Sequence, residues 1–334
     1  MRVLTDAAPT APARTDAPDL SFVVAAYNAG PWIEAALASA LDQRGVRVEI
    51  VVVDDASTDD TAASVTALAA RDPRVVLIRR ERGGGPSAAR NLAIDRARGT
   101  WIAVLDADDA VEPERARHLI ALAERTGCAV AADNVACFPD REPERSWPLV
   151  PDLPEEAELR VGLAEYLQRN RLTGGRSNLG FLKPIFSRAF LARHGIRYDE
   201  SVRIGEDFLL CLRCLMAGTD MAVSGRAGYR YRLLTTSLSR KLKATDLDAM
   251  RTTYDALGFA PSEPALVRAD AAYRRSLAEM RAYVGLREGG SRREPGAVLR
   301  HAVQPACWRA VAHLALRKLR RRFTRSEPSA RRGR

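Results

Sequence analysis

Residues 48–55, VEIVVVDD, join an apolar, β-branched run to a pair of acids. Residues 101–109, WIAVLDADD, repeat this arrangement. Each apolar run is typical of a buried strand, so the acids lie where a strand stops. In an open α/β sheet that position is the carboxyl edge, where ligands bind. The two stretches therefore predict an α/β fold with an acidic ligand site along one sheet edge.

Strand and helix patterns alternate through the first hundred residues. Apolar runs at 20–26 and 75–78 predict two further strands, and Ile33, Leu37 and Leu41 recur at a helical spacing. This alternation predicts a Rossmann-like, mostly parallel sheet with helices on both faces.

Later segments follow other patterns. Residues 139–158 are rich in Pro and Glu and predict an excursion, whereas residues 228–234 predict an edge strand. Beyond residue 241 the pattern is helical. We therefore expect a helical C-terminal extension.

A third acidic cluster, Glu206-Asp207, precedes a predicted helix. Acids at such a place are also explained by the positive end of the helix dipole, so the pair alone leaves function and structure evenly matched. Gathered carboxylates repel one another unless a cation joins them. A divalent metal that holds a phosphorylated ligand is the simplest explanation of all three clusters.

Charge is concentrated at the C-terminal end of the 334-residue chain. Residues 291–334 contain thirteen Lys and Arg and two Glu, a net +11, so the preceding part has a net charge of −1. Five cysteines are an odd, sparse set and favour a reducing compartment. We see no signal peptide and no apolar run of about 18 residues, and expect a cytoplasmic protein. The predicted domains are a disordered leader (1–19), a catalytic domain (20–240), a helical region (241–325) and a basic disordered tail (326–334).

Four motifs occur in a fixed order, at residues 51–59, 87–91, 105–109 and 205–207. In this order they resemble the family 2 glycosyltransferases, over roughly residues 20–240. The resemblance implies a GT-A fold and transfer of a sugar from a nucleotide donor.

The resemblance also implies a role for individual residues. Members of the family place the end of the first strand beside the nucleotide base and use an Asp to bind uracil. A second Asp lies on the ribose side, a third binds Mg²⁺ or Mn²⁺, and a fourth is the catalytic base. The matching positions are Ala25 and Tyr27 for the nucleotide base, Asp55 for uracil, Asp106 for the ribose side, Asp108 for the metal and Asp207 for the catalytic base.

Other positions are assigned with fewer supporting features. A glycine loop at 83–85 predicts that Arg90 lies near the donor. Glu206, Arg232 and Arg240 are assigned to the diphosphate or the acceptor, because the arginines match a segment that closes on the diphosphate. Many relatives have a His in that segment, where this chain has Leu233-Leu234.

A general base opposite the leaving group is what inverting sugar transfer requires. A metal stabilises the charge that develops on the nucleotide diphosphate, so a second carboxylic acid is unnecessary. We therefore predict an inverting, metal-dependent transfer from a UDP-sugar to a saccharide, expected to be lipid-linked, during polysaccharide or surface-glycan synthesis.

The segment 302–325 has the pattern of a basic amphipathic helix. Its predicted apolar stripe consists of Trp308, Val311, Ala315, Leu319 and Phe323. This pattern favours contact with an anionic membrane, on the inner face. A helix packed on the catalytic domain or a nucleic-acid tail are the alternatives.

Two other functions compete with sugar transfer. A nucleotidyltransferase also places carboxylates at strand ends, but residues 25–31 lack a Gly-rich signature with a Lys. A nucleic-acid-binding protein would carry its charge on a folded face, whereas the body of this chain is near neutral. We expect no nucleic-acid partner.

Overall fold

A computed structural model describes residues 17–175, 178–234, 242–291, 302 and 304–324, with only the helical backbone over 315–324. One ten-stranded sheet forms its centre, in the order β3-β2-β1-β4-β9-β6-β10-β5, with β7 added to β6 and β8 to β10. The strands are β1 (Leu20–Ala26), β2 (Val48–Asp54), β3 (Val75–Arg79), β4 (Trp101–Val104), β5 (Ala110–Val111), β6 (Val130–Pro139), β7 (Trp147–Pro148), β8 (Glu158–Val161), β9 (Ile185–Ser187) and β10 (Met221–Leu233).

The first four long strands form the predicted parallel half. β3, β2, β1 and β4 pair in parallel, and every residue of β2 and β4 is buried. Fully buried runs are typical of parallel strands covered on both faces. The carboxyl ends of β1, β2 and β4 therefore lie side by side, which brings the first two acidic clusters to one edge.

The second half of the sheet is mixed. β9 is antiparallel to both β4 and β6, and β6 is parallel to β10. The predicted edge strand at 228–234 is wrong, because it is the end of the 13-residue β10, which has β6 on one side and β8 and β5 on the other. The buried start of β10, Met221–Gly225, explains why it lies inside the sheet.

Ten α-helices are described within these ranges: α1 (Ile33–Leu41), α2 (Thr61–Ala69), α3 (Gly85–Arg96), α4 (Arg115–Thr126), α5 (Leu163–Arg169), α6 (Arg188–Arg193), α7 (Glu206–Met216), α8 (Ala244–Ala256), α9 (Pro264–Ser291) and α10 (Pro305–Thr324). A short 3-10 turn covers Leu179–Phe181. The helical C-terminal extension is confirmed by α8, α9 and α10. Of the predicted disordered leader (1–19), residues 1–16 lie outside the described residues, whereas Asp19 pairs with Arg47 at 2.8 Å. The predicted tail (326–334) lies outside the described residues.

Aromatic stacking joins the C-terminal helices to the sheet domain. Phe208 on α7 stacks on Tyr166 of α5 at 5.5 Å between ring centroids and on Tyr273 of α9 at 5.0 Å. Tyr254 of α8 contacts Tyr273 at 4.9 Å. These rings stabilise the start of α7, where the third acidic cluster lies.

The first turns of α10 pack on α9. Cys307 and Ala310 are fully buried, and Arg309 Nε donates to Glu279 Oε1 at 2.9 Å. The predicted apolar stripe begins instead at Trp308, which is 58% exposed. Trp308 therefore lies on a different face from the packed one, Val311 is partly buried, and the stripe members from Ala315 onward are outside the described side chains. Within the described ranges, no helix combines the length and the apolarity that a membrane span needs.

Candidate active site

Five charged side chains meet where β4, α3, α7 and the approach to β9 converge. Asp106 follows β4, Arg90 lies on α3, and Glu206 and Asp207 open α7. Lys183 lies two residues before β9. We call these five residues the charge cluster. Its acids come from two of the three predicted groups, so the fold unites clusters that are far apart in sequence.

Arg90 is the first cation of the charge cluster. It is only 4% exposed, and its guanidinium contacts Asp106 Oδ1 at 2.6 Å and Glu206 Oε1 at 2.8 Å. Asp207 Oδ1 lies 3.6 Å away, and the Tyr198 ring lies against the guanidinium at 5.4 Å. Arg90 thus holds carboxylates together, and its contacts are with acids rather than with open solvent.

Lys183 is the second cation of the charge cluster, and it is not among the site residues predicted from the sequence. Its Nζ lies 2.8 Å from Asp106 Oδ2 and 2.8 Å from Asp207 Oδ2, and the residue is 8% exposed. A lone lysine within the apolar segment 179–186 is the signal that could have found it, because a buried ammonium requires anionic partners.

Asp207 is held in its ionised form. Besides Lys183, its carboxylate accepts a hydrogen bond of 2.9 Å from the Tyr198 hydroxyl. Burial alone would raise the pKa of Asp207, but Lys183 and Arg90 lower it below its usual value. The pKa of the neighbouring Glu206 is raised, by burial and by the charge of Asp207. The two adjacent acids therefore differ in proton affinity, as acids with different roles do.

Gly205 positions this pair of acids. It caps the N-terminus of α7 in the left-handed region with φ +91°, a conformation that glycine adopts without strain. A Cβ at this position would lie 2.8 Å from the side chain of Met250. The close approach of α8 and the turn into α7 both depend on this glycine.

Asp108 differs from the other acids of its motif. Among the described residues, no cationic side chain forms an ion pair with its carboxylate. Burial, and next the charge of Asp106, raise the pKa of Asp108 to about 6. A partly buried carboxylate without a cation is the donor that a divalent metal takes.

Asp109 fastens the same loop to β10. Its carboxylate accepts from the Tyr229 hydroxyl and from the Arg232 backbone N–H, both at 2.8 Å. The Tyr229 oxygen in turn accepts from the Asp106 N–H at 3.0 Å. Asp109 therefore fixes the backbone from which Asp106 and Asp108 project.

Asp55 organises the glycine loop. Its carboxylate accepts from the Gly84 and Gly85 N–H groups, at 3.0 and 2.8 Å, and from Arg80 at 2.6 Å. Gly85 adopts φ +84°, which allows the loop to turn toward this carboxylate. The acceptor positions of Asp55 are thus in use, and a base N–H would have to displace one of these donors.

The remaining predicted residues lie outside the charge cluster or beyond the described ranges. Tyr27 follows β1 and is 62% exposed, while Ala25 is partly buried within β1. Arg232 donates to the Asp108 carbonyl at 2.8 Å and contacts Asp140 at 3.0 Å. Arg240 lies outside the described residues.

Comparison with known proteins identifies relatives over most of the chain. The family described as "Glycosyl transferase family 2" matches residues 21–190. The succinoglycan biosynthesis protein ExoO of Rhizobium meliloti (strain 1021) is 44% identical over 244 residues, which cover 72% of this chain and 68% of that protein. ExoU of the same organism, also a succinoglycan biosynthesis protein, is 33% identical over 91% of this chain and 87% of its own length.

Solved structures share the fold at lower identity. S. aureus TarS 1–349, in complex with UDP-GlcNAc, aligns with a TM-score of 0.61 and 22% identity, over 78% of this chain and 71% of that one. The mannosyltransferase PcManGT of Pyrobaculum calidifontis, in complex with GDP-Man and Mn²⁺, aligns with a TM-score of 0.58 and 19% identity, over 93% and 84%. The GT-A fold expected from the sequence is confirmed.

Proposed function

Because the chain belongs to glycosyltransferase family 2 and is a glycosyltransferase, we propose that it transfers a sugar from a UDP-sugar to a saccharide acceptor, with inversion. The charge cluster carries this proposal. It holds Asp106, on the predicted donor side, and Asp207, the predicted base, within reach of one ammonium at 2.8 Å each. This spacing supports the proposal, because a single displacement requires the donor and acceptor groups to lie next to each other.

Asp207 is the proposed general base. Its Oδ removes the proton from an acceptor hydroxyl, the hydroxyl oxygen bonds to the anomeric carbon, and the bond from that carbon to the diphosphate oxygen breaks. The bonding electrons leave with the nucleoside diphosphate. Tyr198, Lys183 and Arg90 support the ionised carboxylate before this step.

Asp108 is the proposed protein ligand of a divalent cation. Its carboxylate fits Mg²⁺ or Mn²⁺, since it is partly buried and has no cationic partner among the described side chains. Within those residues no group of three or more metal-binding side chains occurs. This suits an ion that takes one or two carboxylates and completes its shell with diphosphate oxygens. When bound, the cation would neutralise charge on the leaving diphosphate.

The other predicted donor contacts extend this proposal toward the nucleotide. Tyr27 offers an exposed ring for the base, and Ala25 lines the same strand end. Asp55 would bind uracil by exchanging one of its present donors. Arg232 and Arg240 would contact the diphosphate or acceptor, together with Glu206.

The proposed biological role is exopolysaccharide or surface-glycan synthesis. ExoO and ExoU, which share 44% and 33% identity with this chain, are succinoglycan biosynthesis proteins. A lipid-linked saccharide acceptor suits an enzyme whose basic C-terminal helix exposes Trp308. We propose peripheral contact with an anionic membrane on its inner face.

A nucleotide-sugar panel with and without Mn²⁺ tests the donor and the metal. We expect a UDP-sugar with Mn²⁺ to raise the melting temperature by several degrees, and EDTA to remove the increase. In the subsequent transfer assay the released product should be UDP, and the new glycosidic bond should have the opposite anomeric configuration by NMR. Pyrophosphate as the product would indicate nucleotidyl transfer. Stabilisation by every UDP-sugar in EDTA would contradict metal dependence.

A further inference from the structure

We infer that Lys183 is the positioning residue that fixes the Asp207 carboxylate toward the acceptor and joins it to the donor-side Asp106. The inference deepens the proposed function and rests on the role of Asp207 as base. The Lys183 Nζ lies between the two carboxylates, 2.8 Å from an oxygen of each. One ammonium therefore fixes the distance and orientation between two carboxylates that must act in the same step.

The position of Lys183 is itself built into the sheet. Its carbonyl accepts a hydrogen bond from the Arg115 guanidinium, which also contacts Asp133 Oδ1 at 2.8 Å. The Arg115 and Asp133 side chains are each 1% exposed. Leu182 and Ile185 on either side of Lys183 are fully buried. A backbone held this firmly leaves the side chain few alternative directions, as a pre-organised site requires.

Lysine suits this position better than arginine does. A compact ammonium has three donors that rotate, so it can serve two carboxylates that are not coplanar. Arg90 already contacts Asp106 and Glu206 with its planar fork. The two cations therefore have different roles. Arg90 on α3 contacts Asp106 and Glu206, whereas Lys183 before β9 orients Asp207.

The charges around Asp207 predict how its titration depends on Lys183. The groups that face it are Arg90 from α3, Asp106 from the loop after β4, Tyr198 from the loop before α7, Lys183 from the approach to β9, Tyr166 from α5, and Glu206 and Cys211 on its own helix. Burial raises the pKa of Asp207, and Lys183 is the first of the groups that lower it. Without Lys183 the pKa of Asp207 should rise, so the base would become protonated at a higher pH.

The test compares Lys183→Met, Lys183→Arg and Asp207→Asn with the unaltered chain. The turnover of sugar transfer is measured from pH 3 to 8, because the pKa of Asp207 in the unaltered chain lies below its usual value, and calorimetry measures the affinity for UDP with MnCl₂. Lys243→Met is the matched control, because it removes an exposed lysine. We expect Lys183→Met to lower kcat about 10²-fold, which is part of the worth of a general base. The acid limb of kcat should move up by about one pH unit or more, and UDP affinity should stay within about fivefold.

Two further variants separate positioning from a merely structural role. Lys183→Arg restores the positive charge and should return the acid limb toward its original pH, but it should recover only part of the lost kcat, because a planar guanidinium fits this position less well than an ammonium. In an Asp207→Asn background, Lys183→Met should lower kcat by less than about threefold, because a residue that acts through the Asp207 carboxylate has no carboxylate left to position. A Lys183→Met enzyme with unchanged kcat and unchanged acid limb would overturn the inference.

The results also distinguish this inference from the proposed function. If Asp207→Asn transfers sugar normally, the assignment of the base is wrong. If Asp207→Asn is inactive while Lys183→Met behaves like the control, only the role of Lys183 is wrong. Should Lys183→Met fail to fold, Lys183→Gln replaces it, because Gln keeps an N–H donor without the charge. Normal kcat and an unmoved acid limb in Lys183→Gln would overturn the inference equally.

Discussion

At the scale of single residues, the acids of the site differ mainly in how their charge is balanced. Asp106 and Asp207 each contact two cations, which keep the pKa of both carboxyls below the usual value despite burial. Asp108 lies two residues from Asp106, yet the same burial raises its pKa to about 6. Pairing and burial therefore divide one acidic motif into a carboxylate that is paired by protein cations and one that has no cationic partner among the described side chains, which is the one we propose as the metal ligand.

Replacing Asp108 with Ala tests that division. We expect loss of Mn²⁺-dependent UDP binding by calorimetry, with the melting temperature retained or slightly raised, because an unpaired buried carboxylate is removed. Asp95→Ala is the control, since Asp95 forms an exposed ion pair with Arg197 that contributes little to stability. Unchanged UDP affinity in Mn²⁺ would exclude Asp108 as the metal ligand.

At the scale of elements, α7 carries the proposed base because of a single glycine. Gly205→Ala should destabilise the protein by about 2–4 kcal/mol in urea unfolding, through backbone strain and the contact with Met250. Gly127 ends α4 at φ +66°, where a Cβ would meet no atom within 4 Å, so this position supplies the strain alone. Gly127→Ala should cost about 1 kcal/mol. Equal costs at both positions would show that the α7–α8 approach contributes nothing.

The Arg115–Asp133 pair supports the backbone of Lys183, and its removal should have a pH signature. Arg115→Met leaves a buried carboxylate whose pKa burial already raises, so we expect a loss of about 3–5 kcal/mol near neutral pH. A carboxyl whose pKa is higher in the folded than in the unfolded state stabilises the fold at pH values below its unfolded-state pKa of about 3.9. This stabilisation is lost as the pH rises through the folded-state pKa. The loss in Arg115→Met should therefore be smaller at pH 5 than at pH 8.

The double variant Arg115→Met/Asp133→Asn is the control for this pH dependence. It removes the titrating carboxyl but keeps His118, which lies near Asp133 and also titrates. Its unfolding free energy should depend on pH less than that of Arg115→Met does, because the Asn that replaces Asp133 does not titrate. A pH dependence that persists in the double variant would assign the effect to His118.

Local pattern explains which elements the sequence can predict. The ends of β2 and β4 are predictable because each is a continuous apolar run that stops at an acid. The extent of β10 is not, since Ser224, Gly225 and Arg226 interrupt its apolar run, while its partner β6 lies far away in the chain. Lys183 escapes prediction for a similar reason, because its anionic partners reach it only through the fold.

At the scale of the whole molecule, a near-neutral body ends in a basic helix that is anchored at its start. Glu279 of α9 is buried and contacts Arg309 at 2.9 Å and His313 at 3.5 Å. The period of the sequence could not decide which face of α10 packs, since Cys307 and Ala310 recur at the same spacing as Trp308 and Val311. Deleting α10 would leave Glu279 without these partners, so a point substitution is the better test of membrane contact.

Trp308→Ser should weaken co-sedimentation of the full chain with vesicles that contain anionic phosphatidylglycerol. The exposed ring is available to the bilayer interface, and burial of a large apolar side chain is worth about 1.5–3 kcal/mol, so we expect a loss of roughly tenfold. The basic residues near the helix add attraction that salt screens, because the Debye length falls from about 10 Å at 0.1 M to about 3 Å at 1 M. Binding should therefore weaken at 1 M NaCl and persist in part only when Trp308 is present.

Val267→Ser is the control for this prediction. It removes another exposed apolar side chain, on α9, and should leave vesicle binding unchanged. Equal binding by all three proteins at both salt concentrations would contradict contact through Trp308, and no binding by the unaltered chain would reject the membrane proposal.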